Sequence, residues 1–255
     1  MSPRLFDTFL FSDELDLLEC RLRELEDVPD LTHVLVESLA TFQGRAKPLW
    51  YAEHKERFAA WHERINHIVI PPQYAGDTWG RENAQREHVR FGLRDAVAED
   101  IIFHGDVDEI PRAEAMCVES AGQVLGMSQH IFAVDWLDPR PGSWPGLVAL
   151  RADEIKGFAH MRSLRNDLPR RENSGWHLTW LGGPEGIGAK AHAFSHTEIV
   201  PLVERGIAEG LLYEQGRFWS STTELGIQLA PVTVDESWPK WVFERKCPQN
   251  WFRPR

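Results

Sequence analysis

Apolar positions along the first hundred residues fall into short continuous runs separated by stretches with helical spacing. Leu5–Phe11 reads as a first strand, and Leu15, Leu18, Leu22 and Leu25, three and four residues apart, predict a helix capped by Ser12. Leu31–Glu37 predicts a second strand and Ser38–Pro48 a loop of turn and polar residues. Ala52–Trp61 reads as helix-like, and His67–Ile70 as a short strand stopped by Pro71 and Pro72. Arg81–Val97 then looks helical and Asp100–Gly105 forms a fourth strand. Strands and helices in alternation predict an α/β fold, with a mostly parallel central sheet covered by helices on both faces. After residue 111 the pattern loosens. Arg112–Ala121 predicts a helix, Gln129–Asp135 and Leu147–Leu150 strands, Arg162–Asn173 a basic polar loop, and Thr197–Glu209 a helix around Pro201. The last forty or so residues mix Trp, Pro and charge without a clear period. No internal repeat or low-complexity linker divides the chain, so a single domain over residues 1–255 is expected.

The fourth strand ends unusually. Ile101-Ile102-Phe103-His104-Gly105 leads into Asp106-Val107-Asp108-Glu109-Ile110-Pro111, an apolar run that discharges three carboxylates at its end. In extended chain, residues i and i+2 point the same way, about 6.5–7 Å apart, so Asp106 and Asp108 share a side while Val107 faces the core. Paired hard oxygens suit Mg²⁺ or Mn²⁺, ions that usually complete their shell with water and substrate phosphates. The competing reading is a solvated turn in which one Asp caps the helix that Pro111 begins. Glu37 ends the second strand, and in open α/β sheets ligands bind beyond the carboxyl ends of strands, so two acidic strand ends converge on one rim.

Composition narrows the partners. The chain has 255 residues, 42% of them hydrophobic, which supplies an ample core, and its formal charge of −11 argues against a nucleic-acid partner. Cys20, Cys117 and Cys247 are odd in number and lack paired spacing, so neither a disulfide framework nor a zinc site is predicted. No signal-like amino terminus and no apolar run of about eighteen residues is found, which predicts a soluble, cytoplasmic protein without a membrane span.

Five groups of residues, in order, carry a resemblance. They are Phe6-Asp7-Thr8-Phe9-Leu10-Phe11 with Glu14-Leu15-Asp16-Leu17-Leu18-Glu19; Val36-Glu37-Ser38 with Thr41-Phe42 and Lys47-Pro48-Leu49; and Trp79 with Glu82 and Gln85-Arg86. Gly105–Pro111 follows, and then Gly175-Trp176-His177, Trp180, Pro184-Glu185-Gly186-Ile187, Lys190 and Ser195-His196. Over roughly residues 4–200 the chain resembles glycosyltransferase family 17, the family of the β-1,4-mannosyl-glycoprotein N-acetylglucosaminyltransferase that adds bisecting GlcNAc. The resemblance implies a GT-A-type fold, a DXD motif, a UDP-GlcNAc-like donor, Mn²⁺ or Mg²⁺, and transfer with inversion to a glycan. It casts residues 1–111 as a nucleotide-binding half, 112–235 as the half that completes the metal and acceptor sites, and 236–255 as a tail. Animal members carry an amino-terminal membrane anchor. This chain starts at its first strand, so a bacterial or phage-type enzyme acting on a cytoplasmic, lipid-linked saccharide is expected.

Candidate roles follow from that implied chemistry. Asp106 and Asp108 are the metal residues, completed by His177 or His196, with His192 ranked third; a lone His is more commonly structural. Asp7, Glu37, Gln85, Arg86 and Asp106 are the donor-binding candidates. Glu37 reads a ribose hydroxyl or the base edge, and Arg86 clamps phosphates or simply pairs with Glu82 one helical turn away. Inversion needs a carboxylate to accept the acceptor's proton, with Asp135, Asp138 and Glu185 the candidates and Glu185 and Asp135 ahead. Trp136, Trp144, Trp176 and Trp180 are sugar-stacking candidates against a core role. Arg162, Arg165, Arg170 and Arg171 form a lid or a solvated loop. Two rival functions are a haloacid-dehalogenase-type phosphatase, suggested by Asp7 but lacking a second Asp at position 9, and a non-catalytic nucleotide-sugar-binding module.

Overall fold

The computed structural model describes residues 2–72, 76–193 and 195–254. Strand β1 (Leu5–Phe11) is buried along its whole length, and its alternate residues serve two cores. Phe9 and Phe11 pack with Leu18 and Leu22 of helix α1 (Leu15–Glu24), while Phe6 and Leu10 join Val34 and Val36 of β2 (Leu31–Ser38) on the opposite face. The Ser12 cap does not form. Instead the Glu14 carboxylate folds back to accept the backbone N–H groups of Ser12 and Asp13, each at 3.1 Å, and α1 starts one residue later.

The helix-like stretch after β2 is two pieces, α2 (Trp50–Glu53) and a 3₁₀ run over Lys55–Arg64, whose Tyr51, Phe58 and Trp61 cover the α1 side of the sheet. Next come β3 (Ile65–Ile70) and α3 (Thr78–Glu87), the latter capped by Asp77 accepting the Gly80 N–H at 2.7 Å. The helix expected to reach Val97 stops at Glu87 and tightens to a 3₁₀ turn over His88–Gly92. Asp100 then holds the approach to β4 (Ile101–Asp106) in a turn, accepting from Val97 N at 2.9 Å and Arg4 N at 2.8 Å.

The carboxy-terminal half departs further from its periodicity. After β5 (Glu109–Pro111), the helix expected over Arg112–Ala121 is only two 3₁₀ turns. There the Ser120 hydroxyl donates to the Ala115 carbonyl at 2.7 Å, a local side-chain bond that competes with helix formation. Strand β6 (Gln123–Ile131) begins earlier than the expected Gln129–Asp135 and ends where Phe132 adopts a φ of +69°. The short β7 (Trp136–Leu137) and β8 (Trp144–Arg151) follow. The basic loop expected over Arg162–Asn173 is the end of α4 (Phe158–Ser163), a 3₁₀ turn and the start of β9 (Arg170–Thr179). Helices α5 (Gly183–Ala193) and α6 (Val200–Ala208) lead to the small pair β10 (Arg217–Phe218) and β11 (Ile227–Gln228), then β12 (Ala230–Pro231) and α7 (Lys240–Phe243).

The main sheet runs β12-β7-β6-β8-β4-β1-β2-β3, with β9 beside β6 and β5 beside β9. Strands β3, β2, β1 and β4 are all parallel, so the ends of β1, β2 and β4 emerge on one rim. Strand β8 runs antiparallel between β4 and β6, and β5 antiparallel to β9, which makes the whole a mixed sheet. The aperiodic tail is a filler. Trp238, Trp241, Trp251 and Phe252 pack Ile110 and Trp176 of the sheet against Leu17 and Cys20 of α1. No helix among the described residues is long and apolar enough to cross a membrane.

Candidate active site

The acidic turn is built by close approach. At Gly105 a Cβ would lie 2.4 Å from Glu109 Oε2, so only glycine lets the Glu109 carboxylate fold under the turn and accept the Asp106 N–H at 3.1 Å. At Gly175 a Cβ would lie 2.3 Å from the Ile110 carbonyl oxygen, and its absence lets β5 lie on β9 with Glu109 opposite His177. Val107 is buried, as its position between the two aspartates predicts. From beneath, Arg21 of α1 donates to the carbonyls of Asp106 (3.2 Å) and Glu109 (2.5 Å) while its Nε bonds Asp7 at 2.8 Å. His33 bonds the same Asp7 carboxylate at 2.9 Å. Asp7 is thus sealed in the core as the anchor of a strut, rather than a group open to a donor or a phosphatase nucleophile.

Three cations meet the two aspartates. Asp106 accepts from Arg86 at 3.0 Å and Arg162 at 2.7 Å; Asp108 Oδ2 accepts from Lys190 at 2.7 Å, with His177 Nε2 at 3.6 Å. Burial alone would raise both carboxyls. Arg162 and Arg86 overcome it for Asp106, and Lys190 and His177 for Asp108, so both lie well below the usual carboxylate range. Burial would lower the Lys190 pKa, and Asp108 with Glu14 more than reverses that. Behind Arg86, His104 is held neutral, its pKa driven down by burial and then by Arg86 and Arg162. Its Nε2 accepts from Arg86 at 3.2 Å, which leaves Nδ1–H to donate to Thr8 Oγ1 at 2.9 Å. Glu109 is fully buried, pairs with Arg162 and accepts the Trp144 indole N–H at 2.7 Å, so the third acid of the motif is structural.

Beside Lys190 a cavity of about 340 Å³ opens beyond the end of β1, lined by Ser12–Leu17, Ala40–Phe42, Trp180 and one side of α5. Glu14 on its wall has a carboxyl raised to about 7, first by burial and then by Asp13.

The expected site residues divide sharply. Asp106, Asp108, Arg86 and His177 come together. Glu37 is fully buried and bound by Lys47 at 3.3 Å and His67 at 3.0 Å, and the Gln85 amide donates to the Val36 carbonyl at 2.8 Å; both brace the rim from inside rather than face the cavity. His196 pairs with Glu198 at 2.7 Å and meets the Trp79 ring edge-on, while its neighbour Ser195 bonds Glu82, the other partner of Arg86. His192 pairs with Glu204 at 3.3 Å. Glu185 is exposed on the first turn of α5 and Asp135 bonds Arg253, so neither carboxylate touches the acidic turn. The expected basic lid is dismantled too: Arg162 is buried, Arg170 bonds Ser143, and Arg171 bonds Ser120. Trp176 is core, and Trp144 stacks on His177 at 4.3 Å.

Lys190 and Glu14 escaped the sequence reading as site groups, and Arg162, read there as part of a lid or a solvated loop, is instead a buried partner of the acidic turn. Glu14 had a signal, being a third acid just past a strand end on the same rim. Nothing local ties Arg162 to residues 56 positions away.

A divalent ion is tested by the donors present. Among the described residues no three or more His, Cys, Asp or Glu side chains are grouped to hold one. Two hard carboxylates do sit at the end of β4, and among the described residues Asp108 Oδ1 takes no hydrogen bond, while Oδ2 is engaged by Lys190 and His177. That partial set fits Mg²⁺ or Mn²⁺, which draw their remaining ligands from water and phosphate.

No curated protein sequence matches the chain. Among solved structures, a mannosyltransferase from Pyrobaculum calidifontis in complex with GDP-Man and Mn²⁺ aligns at 13% identity, covering 82% of this chain and 75% of its own, with a TM-score of 0.42. A 4-diphosphocytidyl-2C-methyl-D-erythritol synthase aligns at 15% identity over 68% and 90%, with a TM-score of 0.38. The Streptococcus pneumoniae glycosyltransferase GlyE aligns at 11% identity over 66% and 37%, with a TM-score of 0.31. Likenesses this remote establish nothing about activity. The sequence model of glycosyltransferase family 17, however, matches residues 1–206, about four fifths of the chain. The chain therefore belongs to glycosyltransferase family 17 and is a glycosyltransferase.

Proposed function

We propose that this glycosyltransferase moves a sugar, GlcNAc by the family's example, from a UDP-sugar to a hydroxyl of a glycan or lipid-linked saccharide, with inversion and with Mn²⁺ or Mg²⁺. Residues 1–111 supply most of the nucleotide side, and 112–235 the acceptor side together with groups that complete the metal and diphosphate site. The observation that carries this reading is the contact between Asp108 and Lys190, because Lys190 also lines the cavity beyond β1 and so joins the acidic turn to a space for the donor.

Departure of a nucleoside diphosphate leaves negative charge that must be stabilised where it develops. Arg86, Arg162 and Lys190 form a fixed positive arc around the turn, held in place by Asp106, Asp108 and Glu109. Asp106 and Asp108 would hold the metal, which when bound supplies Lewis-acid stabilisation of the leaving diphosphate. Fixed dipoles and charges of this kind cost no reorganisation during the reaction. The arginines are also planar donors suited to phosphate oxygens.

The experiment is a screen of UDP- and GDP-sugars with Mn²⁺, Mg²⁺ or chelator, reading release of the nucleoside diphosphate. Metal-dependent release of UDP from UDP-GlcNAc is the expected result. Release that survives chelation would remove the metal from the proposal, and release from GDP-sugars alone would change the donor.

A further inference from the structure

The donor reading leaves one role unfilled. Inversion requires a carboxylate to take the acceptor's proton, and the acids expected for it are elsewhere: Glu185 is exposed on α5, Asp135 is held by Arg253 and Asp138 by Arg140. Among the described residues the acids that do line the cavity beyond β1 are Asp13, Glu14 and Asp16. Asp16 is spent on Arg57 at 2.5 Å, and Asp13 is exposed. Glu14 differs from both. It is only partly buried, and its Oε2 is anchored by the Ser12 and Asp13 N–H groups, each at 3.1 Å, which fixes that oxygen on the cavity wall. Among the described residues its Oε1 accepts no hydrogen bond. Lys190 lines the same cavity and ties it to the acidic turn, since its ammonium donates to Asp108 at 2.7 Å and feels the charges of Asp108 and Glu14 together.

Resting on the donor reading above, we propose that Glu14 is the general base of the transfer, with Oε1 taking the proton of the attacking hydroxyl. As the hydroxyl oxygen bonds the anomeric carbon, the bond from that carbon to the diphosphate oxygen breaks and its electron pair leaves on the diphosphate. The proton goes to Glu14 and from there to solvent, to which Glu14 is partly open. An anchored oxygen beside an uncommitted one suits this duty, because the base must be held still and keep a lone pair to give. Protonation of Glu14 also leaves Lys190 with one carboxylate fewer to answer, so its positive end weighs more on the diphosphate as charge develops there.

The test uses the whole chain with UDP-GlcNAc and Mn²⁺, water serving as the acceptor. It reads UDP release at saturating donor together with UDP affinity by calorimetric titration. In Glu14→Gln the amide oxygen can still take the Ser12 and Asp13 N–H groups, so the start of α1 persists while the proton acceptor is lost. Release should fall about a hundredfold or more, with UDP affinity within about twofold of wild type. In Glu14→Ala the two N–H groups lose their acceptor and a space the size of a small carboxylate opens. Added formate should restore release about tenfold or more there and do nothing for Glu14→Gln, whose side chain fills that space. Undiminished release in Glu14→Gln overturns the assignment, because a residue that merely caps α1 is replaced by glutamine without loss. So do a matching loss of UDP affinity, a loss found in Asp13→Asn instead, and failure of formate to restore the alanine variant. No release from any UDP- or GDP-sugar by the wild-type protein would strike the donor reading itself, and this base with it.

Discussion

Two carboxylate–cation clusters lie one above the other, and the same chemistry serves opposite ends in each. The lower one, Asp7 with Arg21 and His33, is fully buried, and its cation spends the rest of its donors on backbone carbonyls of the turn above. In the upper one, Asp106 and Asp108 with Arg86, Arg162 and Lys190, the Asp106 side chain keeps 35% exposure and Lys190 faces a cavity. The lower cluster sets where the turn is and the upper one uses that position. What separates the acid of the strut from the acids proposed for the chemistry is exposure and a cavity reached through Lys190, not charge or pairing.

The sharpest way to break that contrast is to neutralise one acid of each cluster. Asp108→Asn keeps the side chain's shape and removes the charge that faces Lys190 and any metal, so release of UDP should fall about a thousandfold while the protein remains folded. Retained turnover would remove Asp108 from the chemistry. Asp7→Asn should do the reverse. It leaves Arg21 buried without a counter-charge, which costs about 3–5 kcal/mol of stability. Denaturant unfolding measures it, and a loss below about 1 kcal/mol would mean the strut is not needed.

Lys190→Met tests the link between the turn and the cavity. The variant keeps most of the aliphatic stem beside Trp180 but removes the positive end, so affinity for UDP-sugar should fall about tenfold to a hundredfold while the fold persists. Calorimetric titration with UDP checks it. Unchanged affinity would place the diphosphate elsewhere.

How much of this could be read from the chain depends on the range of the interactions. The four parallel strands were legible because each is a local apolar run, and so was Asp106 at the end of a strand, whereas Val107 and Asp108 form a turn rather than the extended chain that a period of two assumes. Glu37 misled for a physical reason: Lys47 and His67, ten and thirty residues away, close over it, and no local pattern reports that. Arg162 and Lys190 are supplied by elements 56 and 82 residues beyond their aspartates. The interrupted helix after Pro111 and the Trp-rich tail follow tertiary packing, which overrides propensity in short segments.

The smallest effect concerns pH, and it separates Glu14 from the aspartates by sign. Asp7, Asp106 and Asp108 have folded pKa values below 3.8, so their stabilisation is complete above that value and disappears as pH falls through the folded pKa. Glu14 is raised from 4.5 to about 7, so between those values the folded state binds more proton than the unfolded one and stability declines as pH rises. Glu24, raised to about 7 by burial, adds to the same decline. Above pH 7 the Glu14 penalty is fully developed. Glu14→Gln removes it, so the variant should gain relative to wild type as pH is raised from about 4.5 to about 7, with the Glu24 slope remaining. Melting curves across that range, in wild type and variant, measure the difference. Parallel curves would show that Glu14 titrates as an ordinary surface acid and that the cavity wall beside Lys190 is wetter than its geometry indicates.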